Sequence, residues 1–218
     1  MNIQEILNNE LNKVDKIKYK DDRDKHCREA MKEFLLPTIK LIIKAVEEVF
    51  GDEPVQCERY VDIKHLDLFI PIIGRIDFES NTKIMELKSK PPKFNKTKKG
   101  YSVTQQKLPE YIWEDHLQQT SLYQREKGKE AYVVYVSPVE YKIFKPTQKQ
   151  LNAAFNNMIN RAKIFQNLLS VSNGDGRIMA QYVEPPKELF DEKHKDHWRY
   201  SDLTNKQKKL AREIWNIQ

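Results

Sequence analysis

Three charged residues, Asp77, Glu86 and Lys88, stand inside short apolar runs of this sequence. The first run, 70–77, is rich in isoleucine and ends at the aspartate, and the second, 84–88, carries the other two residues. A polar turn of Glu, Ser, Asn and Thr separates the runs, which is typical of a β-hairpin. Because a charge in an apolar strand is costly unless it is paired or binds a ligand, these residues are the first candidates for chemistry.

The register of this hairpin decides whether the three side chains meet. With the turn centred between Ser80 and Asn81, the period-2 alternation of a strand places Asp77 on the same face as Glu86 and Lys88. The two carboxylates are then diagonal neighbours, roughly 7–8 Å apart at the backbone. A bulge would turn Asp77 to the opposite face. The alternative to a metal site is a solvated edge hairpin in which these residues form a salt bridge.

Two carboxylates and one ammonium at a strand end suit the hydrolysis of a phosphodiester. Mg²⁺ and Mn²⁺ bind one or two carboxylates together with water and substrate phosphate. A lysine beside such an ion can orient the attacking water and stabilise the negative charge that develops. The sequence therefore predicts Asp77, Glu86 and Lys88 as catalytic residues, and the two carboxylates as metal ligands.

The same residues carry a family resemblance. A Gly-x-x-Asp sequence ends at Asp77, and after eight further residues comes Glu86-x-Lys88, which resembles the signature of the PD-(D/E)xK nuclease superfamily. Downstream, Gln119 and Tyr123 form a Gln-x-x-x-Tyr sequence similar to that of the RecB-like exonuclease branch. That branch includes the mitochondrial genome maintenance exonuclease and phage relatives, and the resemblance covers roughly residues 24–145.

The resemblance implies a fold and further site residues. The implied fold is α/β, with a central mixed sheet flanked by helices (a restriction-endonuclease-like core) and helical additions at both ends. The backbone carbonyl of Leu87 is a further candidate metal ligand. Relatives often place a metal-binding histidine on an early helix, so His26 is another candidate, although a lone histidine beside an apolar face is more often structural. Glu58, on a half-buried strand, is a candidate accessory acid, and an exposed strand carboxylate is the alternative interpretation.

Helical spacing places His116, Gln119 and Tyr123 on one stripe of a predicted helix at 109–127. From the family, Gln119 and Tyr123 are expected to flank the active site and to contact DNA. His116 lies outside the motif, and Trp113 is expected to anchor the helix rather than to stack on a base.

The stretch at 89–110 is strongly basic, and no acidic residue occurs between Glu86 and Glu110. It leaves directly from the predicted catalytic strand, and it contains two prolines and a glycine. We expect a long structureless connection that contacts single-stranded nucleic acid through lysines and aromatic rings. A solvated mobile loop is the alternative. The candidate DNA-binding residues here are Lys90, Lys93, Lys96, Lys98, Lys99 and Tyr101.

Composition limits the remaining classes. The 218 residues carry a formal net charge of +6, a modest excess whose distribution along the chain matters more than its size. The two cysteines cannot supply the four ligands of an iron–sulfur cluster, so no such cluster is expected, and they indicate buried thiols in a reducing compartment. No apolar run reaches the roughly 18 residues of a membrane span. A cytoplasmic location, in a cell or in a virus-infected host cell, is expected.

The chain is predicted to form one nuclease domain over 1–218. It comprises an N-terminal helix at 1–22, a core at 24–170, and a C-terminal loop and helix at 171–218. Pro37 predicts a kink or break in the helical pattern of 24–50. Other predicted elements are a central strand at 131–136, a neighbouring strand at 141–144, a packing helix within 147–170, and a last helix opened by a capping box at 204–207.

The function expected from these residues is that of a Mg²⁺- or Mn²⁺-dependent DNA exonuclease acting on single strands or DNA ends. Replication or recombination proteins are candidate partners. Three alternatives stay open: an endonuclease of restriction or junction-resolving type, a non-catalytic nucleic-acid-binding protein with a relic site, and a small-molecule hydrolase, which the lysine-rich stretch disfavours.

Overall fold

A computed structural model describes residues 8, 11–12, 16, 18, 21–98, 100–184 and 203–215, without the side chains of residues 23 and 96. About two thirds of the predicted helix at 1–22 lies outside the described residues, as does Lys99. The chain divides into two compact units, one of residues 1–64 and 71–158 and one of residues 65–70 and 159–218. This division does not test the predicted single domain over 1–218, which stays a prediction.

The first unit is an α/β structure built on a five-stranded mixed sheet. Its elements in chain order are α1 (Asp22–Phe50), β1 (Gln56–Ile63), β2 (Ile72–Glu79), β3 (Lys83–Ser89), β4 (Lys93–Thr97), β5 (Gly100–Thr104), α2 (Glu114–Lys127), β6 (Glu130–Val136), β7 (Tyr141–Phe144) and the start of α3 (Gln148–Val171). The strand order is β1-β2-β3-β6-β7, in which β3 and β6 are parallel and the other neighbours antiparallel. The predicted α/β class, with helices flanking a mixed sheet, is confirmed.

Alternating residues of the buried strand β6 face two different cores. Val134 packs with Met85 and with Val49 and Phe50 of α1. Val133 and Tyr135 belong to a second cluster on the other side of the sheet. Because both faces of β6 are covered, nearly all of its residues are apolar, which explains the continuous apolar run in the sequence. The predicted central strand and its neighbour β7 are confirmed.

Of the kink or break predicted at Pro37, the break is wrong, because α1 runs unbroken through this residue, while the kink stays a prediction. A proline inside a helix costs about 3 kcal/mol. Pro37 is exposed, so water can reach the carbonyl that loses its partner, and the Thr38 hydroxyl donates to the Phe34 carbonyl at 2.7 Å. Beyond the proline, Val49 and Phe50 are buried, and each such burial contributes about 1.5–3 kcal/mol. Packing therefore outweighs the local preference.

Two other prolines fall within runs that the sequence predicted as a strand (70–77) and a helix (109–127), but they lie outside the elements that form there. Pro71 precedes β2, which begins at Ile72, so it removes no bond from the ladder. The helix expected from Pro109 begins instead at Glu114. The Trp113 amide, just before the helix, donates to the Tyr135 hydroxyl at 3.0 Å, and this contact ties the helix start to the sheet.

The structureless connection expected at 89–110 is also wrong. Strands β4 and β5 pair there as a separate two-stranded antiparallel sheet. The short strands are largely exposed and lack the apolar alternation of a buried strand, so the sequence pattern does not show them.

The second unit contains the short segment 65–70, the end of α3, α4 (Gly176–Met179) and α5 (Asn205–Ile214). The Gln166 side chain accepts the Phe69 and Ile70 amides at 2.9 and 3.0 Å and donates to the Ile70 carbonyl at 2.7 Å. The predicted capping box at Thr204 is present and opens α5. Within the described part of the chain, no helix has the length and apolar character needed to cross a membrane.

Candidate active site

The turn between β2 and β3 lies one residue later than the sequence reading placed it. Glu79 pairs with Ile84, so the centre falls between Asn81 and Thr82. A shift of the turn by one residue moves the cross-strand partner of each residue by two positions, so every side chain stays on the face that the sequence predicted. Continued by one residue beyond the last pair, Phe78 with Met85, this register places Asp77 opposite Glu86 and not diagonal to it.

A distant glutamate fixes this turn. The Ser80 hydroxyl donates to Glu53 at 2.7 Å and the Thr82 hydroxyl at 2.8 Å, while the Ser80 amide closes the turn on the Lys83 carbonyl at 2.9 Å. These bonds hold the pKa of Glu53 down at about 2, first through Ser80 and then through Thr82. The register is therefore set by a residue outside the hairpin.

Asp77 bonds to the neighbouring strand through its side chain. Its Oδ2 accepts the Leu87 amide at 2.7 Å. Burial raises the pKa of Asp77, and the charge of Glu58 acts in the same direction, while the Leu87 amide and Lys88 oppose them. The amide of Leu87 thus holds the carboxylate beside β3, and the role predicted for the Leu87 carbonyl stays a prediction.

Glu86 is the most deeply buried charged residue of the predicted set, at 3% exposed. Its Oε1 accepts the Lys88 ammonium at 2.6 Å, but its Oε2 is buried without a hydrogen-bond partner among the described residues. Burial raises the pKa of Glu86 to about 7, with further increases from Asp77 and Glu58 that Lys88 opposes. An orphaned buried acceptor costs about 1–3 kcal/mol, so this atom indicates a place for a ligand.

Gln119 and Tyr123 join the site through a chain of hydrogen bonds. Gln119 Oε1 accepts the Lys88 ammonium at 2.9 Å, and its Nε2 donates to the Tyr123 hydroxyl at 3.0 Å. That hydroxyl also accepts the Arg75 amide of β2 at 3.2 Å. Burial raises the pKa of Tyr123, which is 4% exposed. The two residues, one helical turn apart on α2, therefore link Lys88 to β2.

Gly74 explains the glycine of the sequence motif, a role that the sequence reading missed. A Cβ at this position would lie 2.6 Å from Cε1 and 2.8 Å from the hydroxyl of Tyr123. Only a residue without a side chain allows the ring to approach the strand so closely. An isolated glycine in a strand pattern was the available signal.

His26 and Glu58 occupy different surroundings. The exposed His26 ring lies 5.1 Å from the Tyr101 ring, centroid to centroid. Among the described residues, no group of three or more His, Cys, Asp or Glu side chains is arranged to hold a metal ion, so His26 is not brought to the carboxylate pair. Glu58 is exposed, has a φ of 55°, and pairs with Arg75 at 3.2 Å. Its charge nevertheless acts on Asp77 and Glu86.

An aromatic cluster lies next to Lys88, and Tyr135 is the member that sequence reasoning did not identify. Its hydroxyl contacts His116 Nδ1 at 2.7 Å, and the His116 ring stacks on Trp113 with centroids 5.5 Å apart. The Lys90 ammonium lies 3.5 Å from the Trp113 ring centroid. Burial lowers the pKa of His116, and Lys88 and Lys90 act in the same direction against Asp115. The cluster fits an anchoring role for Trp113.

The predicted DNA-binding residues other than Gln119 and Tyr123 are distributed over the β4–β5 hairpin and its approach. Lys93 and Lys98 are exposed, whereas Lys90 and Tyr101 are half-buried. The Lys96 side chain, like Lys99, is outside the described part of the chain.

Comparisons with known proteins give few matches. No family model matches the chain, and no curated protein matches significantly. A search of solved structures finds similarity to a protein designated SSO0001, with 14% identity and a TM-score of 0.31, over 73% of this chain and 86% of that one. A similarity of this degree is too low to indicate a shared function.

Proposed function

We propose that this chain is a metal-dependent nuclease that hydrolyses DNA phosphodiester bonds at Asp77, Glu86 and Lys88. The observation that carries this proposal is the state of Glu86, a buried carboxylate with one oxygen on Lys88 and the other without a hydrogen-bond partner among the described residues. A buried carboxylate with a raised pKa beside a second carboxylate is typical of a functional site.

The donor set fits a small hard cation. Glu86 Oε2 and the Asp77 carboxylate would hold Mg²⁺ or Mn²⁺, with the Leu87 carbonyl as a further ligand, and water and phosphate oxygens would complete the shell. A bound ion supplies acidified water and a positive charge that offsets the charge building on the phosphate. Because Glu86 must ionise before it can bind a cation, binding releases a proton near neutral pH.

Lys88 is held where it can act on a phosphate. An ammonium has three N–H donors, and two of them bond to Glu86 and Gln119. Among the described residues the third has no hydrogen-bond partner, so it can hold the attacking water and stabilise negative charge on the phosphate oxygens. Gln119 is fixed in turn by Tyr123, so the lysine is oriented before substrate arrives.

We propose exonuclease action on single-stranded DNA or DNA ends, following the motif resemblance. The test is incubation of end-labelled linear DNA and closed circular DNA with Mg²⁺ or Mn²⁺. Shortening of linear DNA alone is expected, whereas cleavage of closed circles would identify an endonuclease. Binding without cleavage of either substrate would support a non-catalytic DNA-binding protein and overturn the proposal.

Substitutions at two lysines of β3 test whether the activity depends on Lys88. Lys88→Met is expected to slow cleavage by about a hundredfold or more, because it removes a donor to the transition state. Lys83→Met, a half-buried lysine of the same strand that pairs with Glu53 at 3.1 Å, is the matched control and should retain activity. Equal activity of the two variants would contradict the assignment of Lys88.

A further inference from the structure

The β4–β5 hairpin is a preformed ribbon with two different faces. Its register pairs Lys93 with Thr104, Asn95 with Ser102 and Thr97 with Gly100. Because side chains alternate along a strand, these residues lie on one face, here named the polar face. All of them are exposed, and all the side chains on it can form hydrogen bonds.

Among the described side chains, the opposite face carries Phe94, Val103 and Tyr101, and Tyr101 contacts α1. Phe94 pairs with Val103 on this face, and the half-buried Tyr101 packs on His26 of α1. Contact of Tyr101 with α1 turns the polar face away from the body of the first unit. Phe94 is also half-buried, so these two rings are not presented as a platform on which single-stranded bases could stack.

We propose that the β4–β5 hairpin binds double-stranded DNA by laying its polar face in the major groove. This inference rests on the proposed function and narrows its substrate, of the two proposed above, from single strands or DNA ends to the ends of a duplex. Paired strands are about 4.8 Å apart, and the major groove, about 12 Å wide, admits a two-stranded ribbon.

The chemistry of the polar face matches the groove. Asn95 can bond adenine, Lys93 guanine, and the hydroxyl groups of Thr97, Ser102 and Thr104 either base or phosphate. The stretch from 87 to 109 contains no acidic residue, so nothing in it repels the phosphates that border the groove. Lys93 follows Lys88 by five residues, so the chain keeps the two Cα atoms within about 18 Å, and a bound duplex lies near the proposed site.

The test measures DNA binding without cleavage, by fluorescence anisotropy of labelled 20-mers in EDTA. Wild type is expected to bind a duplex more tightly than either of its single strands. The double variant Lys93→Gln/Asn95→Ala should lose about tenfold or more in duplex affinity. Ser102→Asp, which adds a negative charge to the same face, should weaken duplex binding as well. Val103→Thr, on the opposite face, is the matched control and should bind like wild type.

The outcomes separate this inference from the proposed nuclease. The duplex proposal would be overturned if the double variant and Ser102→Asp both bound a duplex as tightly as wild type does. It would also be overturned if wild type bound single strands more tightly than a duplex. Either result would stand even if the protein cleaves DNA. If substitutions on the polar face weakened duplex binding and Val103→Thr did not, but the protein cleaved no DNA with Mn²⁺, the proposed role of the hairpin would be supported and the proposed nuclease activity overturned.

Discussion

The raised pKa of Glu86 makes the metal-free protein less stable as the pH rises. Below pH 4.5 the carboxyl is protonated in both the folded and the unfolded chain and adds no penalty. Between 4.5 and about 7 the unfolded chain ionises while the folded chain keeps its proton, so the unfolded state is favoured increasingly. The full rise corresponds to about 3 kcal/mol, of which about 2–3 kcal/mol develops between pH 5 and pH 8.

Replacing Glu86 with glutamine removes this titration and keeps the size of the side chain. In the presence of EDTA, Glu86→Gln should therefore gain about 2–3 kcal/mol in free energy of unfolding relative to wild type on going from pH 5 to pH 8. Urea denaturation followed by circular dichroism at the two pH values measures this change.

Glu53→Gln is the control for this experiment. The folded-state pKa of Glu53 is about 2, so its stabilising bonds are lost only as the pH falls from 4.5 towards 2. The stability difference between Glu53→Gln and wild type should be equal at pH 5 and pH 8. A difference between Glu86→Gln and wild type that is also independent of pH would refute the reasoning about Glu86.

Three further predictions concern the contacts around the site. Gly74→Ala should cost about 1–3 kcal/mol in thermal denaturation, because its Cβ would overlap the Tyr123 ring, and an unchanged melting temperature would contradict that packing. Gln119→Leu should lower kcat by about tenfold and leave duplex affinity unchanged, because it removes the acceptor that orients Lys88. The control is Gln118→Leu: the buried amide of Gln118 bonds to a glutamate of its own helix, so this substitution should lower stability alone. Equal kcat values for the two variants would contradict the positioning role of Gln119. Mn²⁺ at a hundred times its Kd should stabilise wild type by about 2.7 kcal/mol at pH 8 and should not stabilise Asp77→Asn to the same degree; equal stabilisation would place the ion elsewhere.

Local pattern was sufficient to predict the hairpin that carries the site and the face shared by Asp77, Glu86 and Lys88. The turn position was wrong by one residue because Glu53, 27 positions from Ser80, holds the turn. The error left each side chain on its predicted face, because the partner positions moved by an even number.

Other features depend on contacts that sequence spacing does not contain. Helical spacing showed that Gln119 and Tyr123 share a stripe, but the bond from Lys88 to Gln119 spans 31 residues and arises from the packing of α2 on the sheet. The helical pattern of 24–50 was predicted, but the break at Pro37 was wrong because burial near Phe50 outweighs a local preference. The β4–β5 hairpin was missed because exposed strands carry no core pattern.

Manganese located by anomalous scattering in crystals of the wild-type protein tests the central claim most directly. The predicted result is a peak at roughly 2.1 Å from a carboxylate oxygen of both Asp77 and Glu86, with Lys88 beside it. At saturating Mn²⁺, the absence of a peak between the two carboxylates would contradict the proposed site.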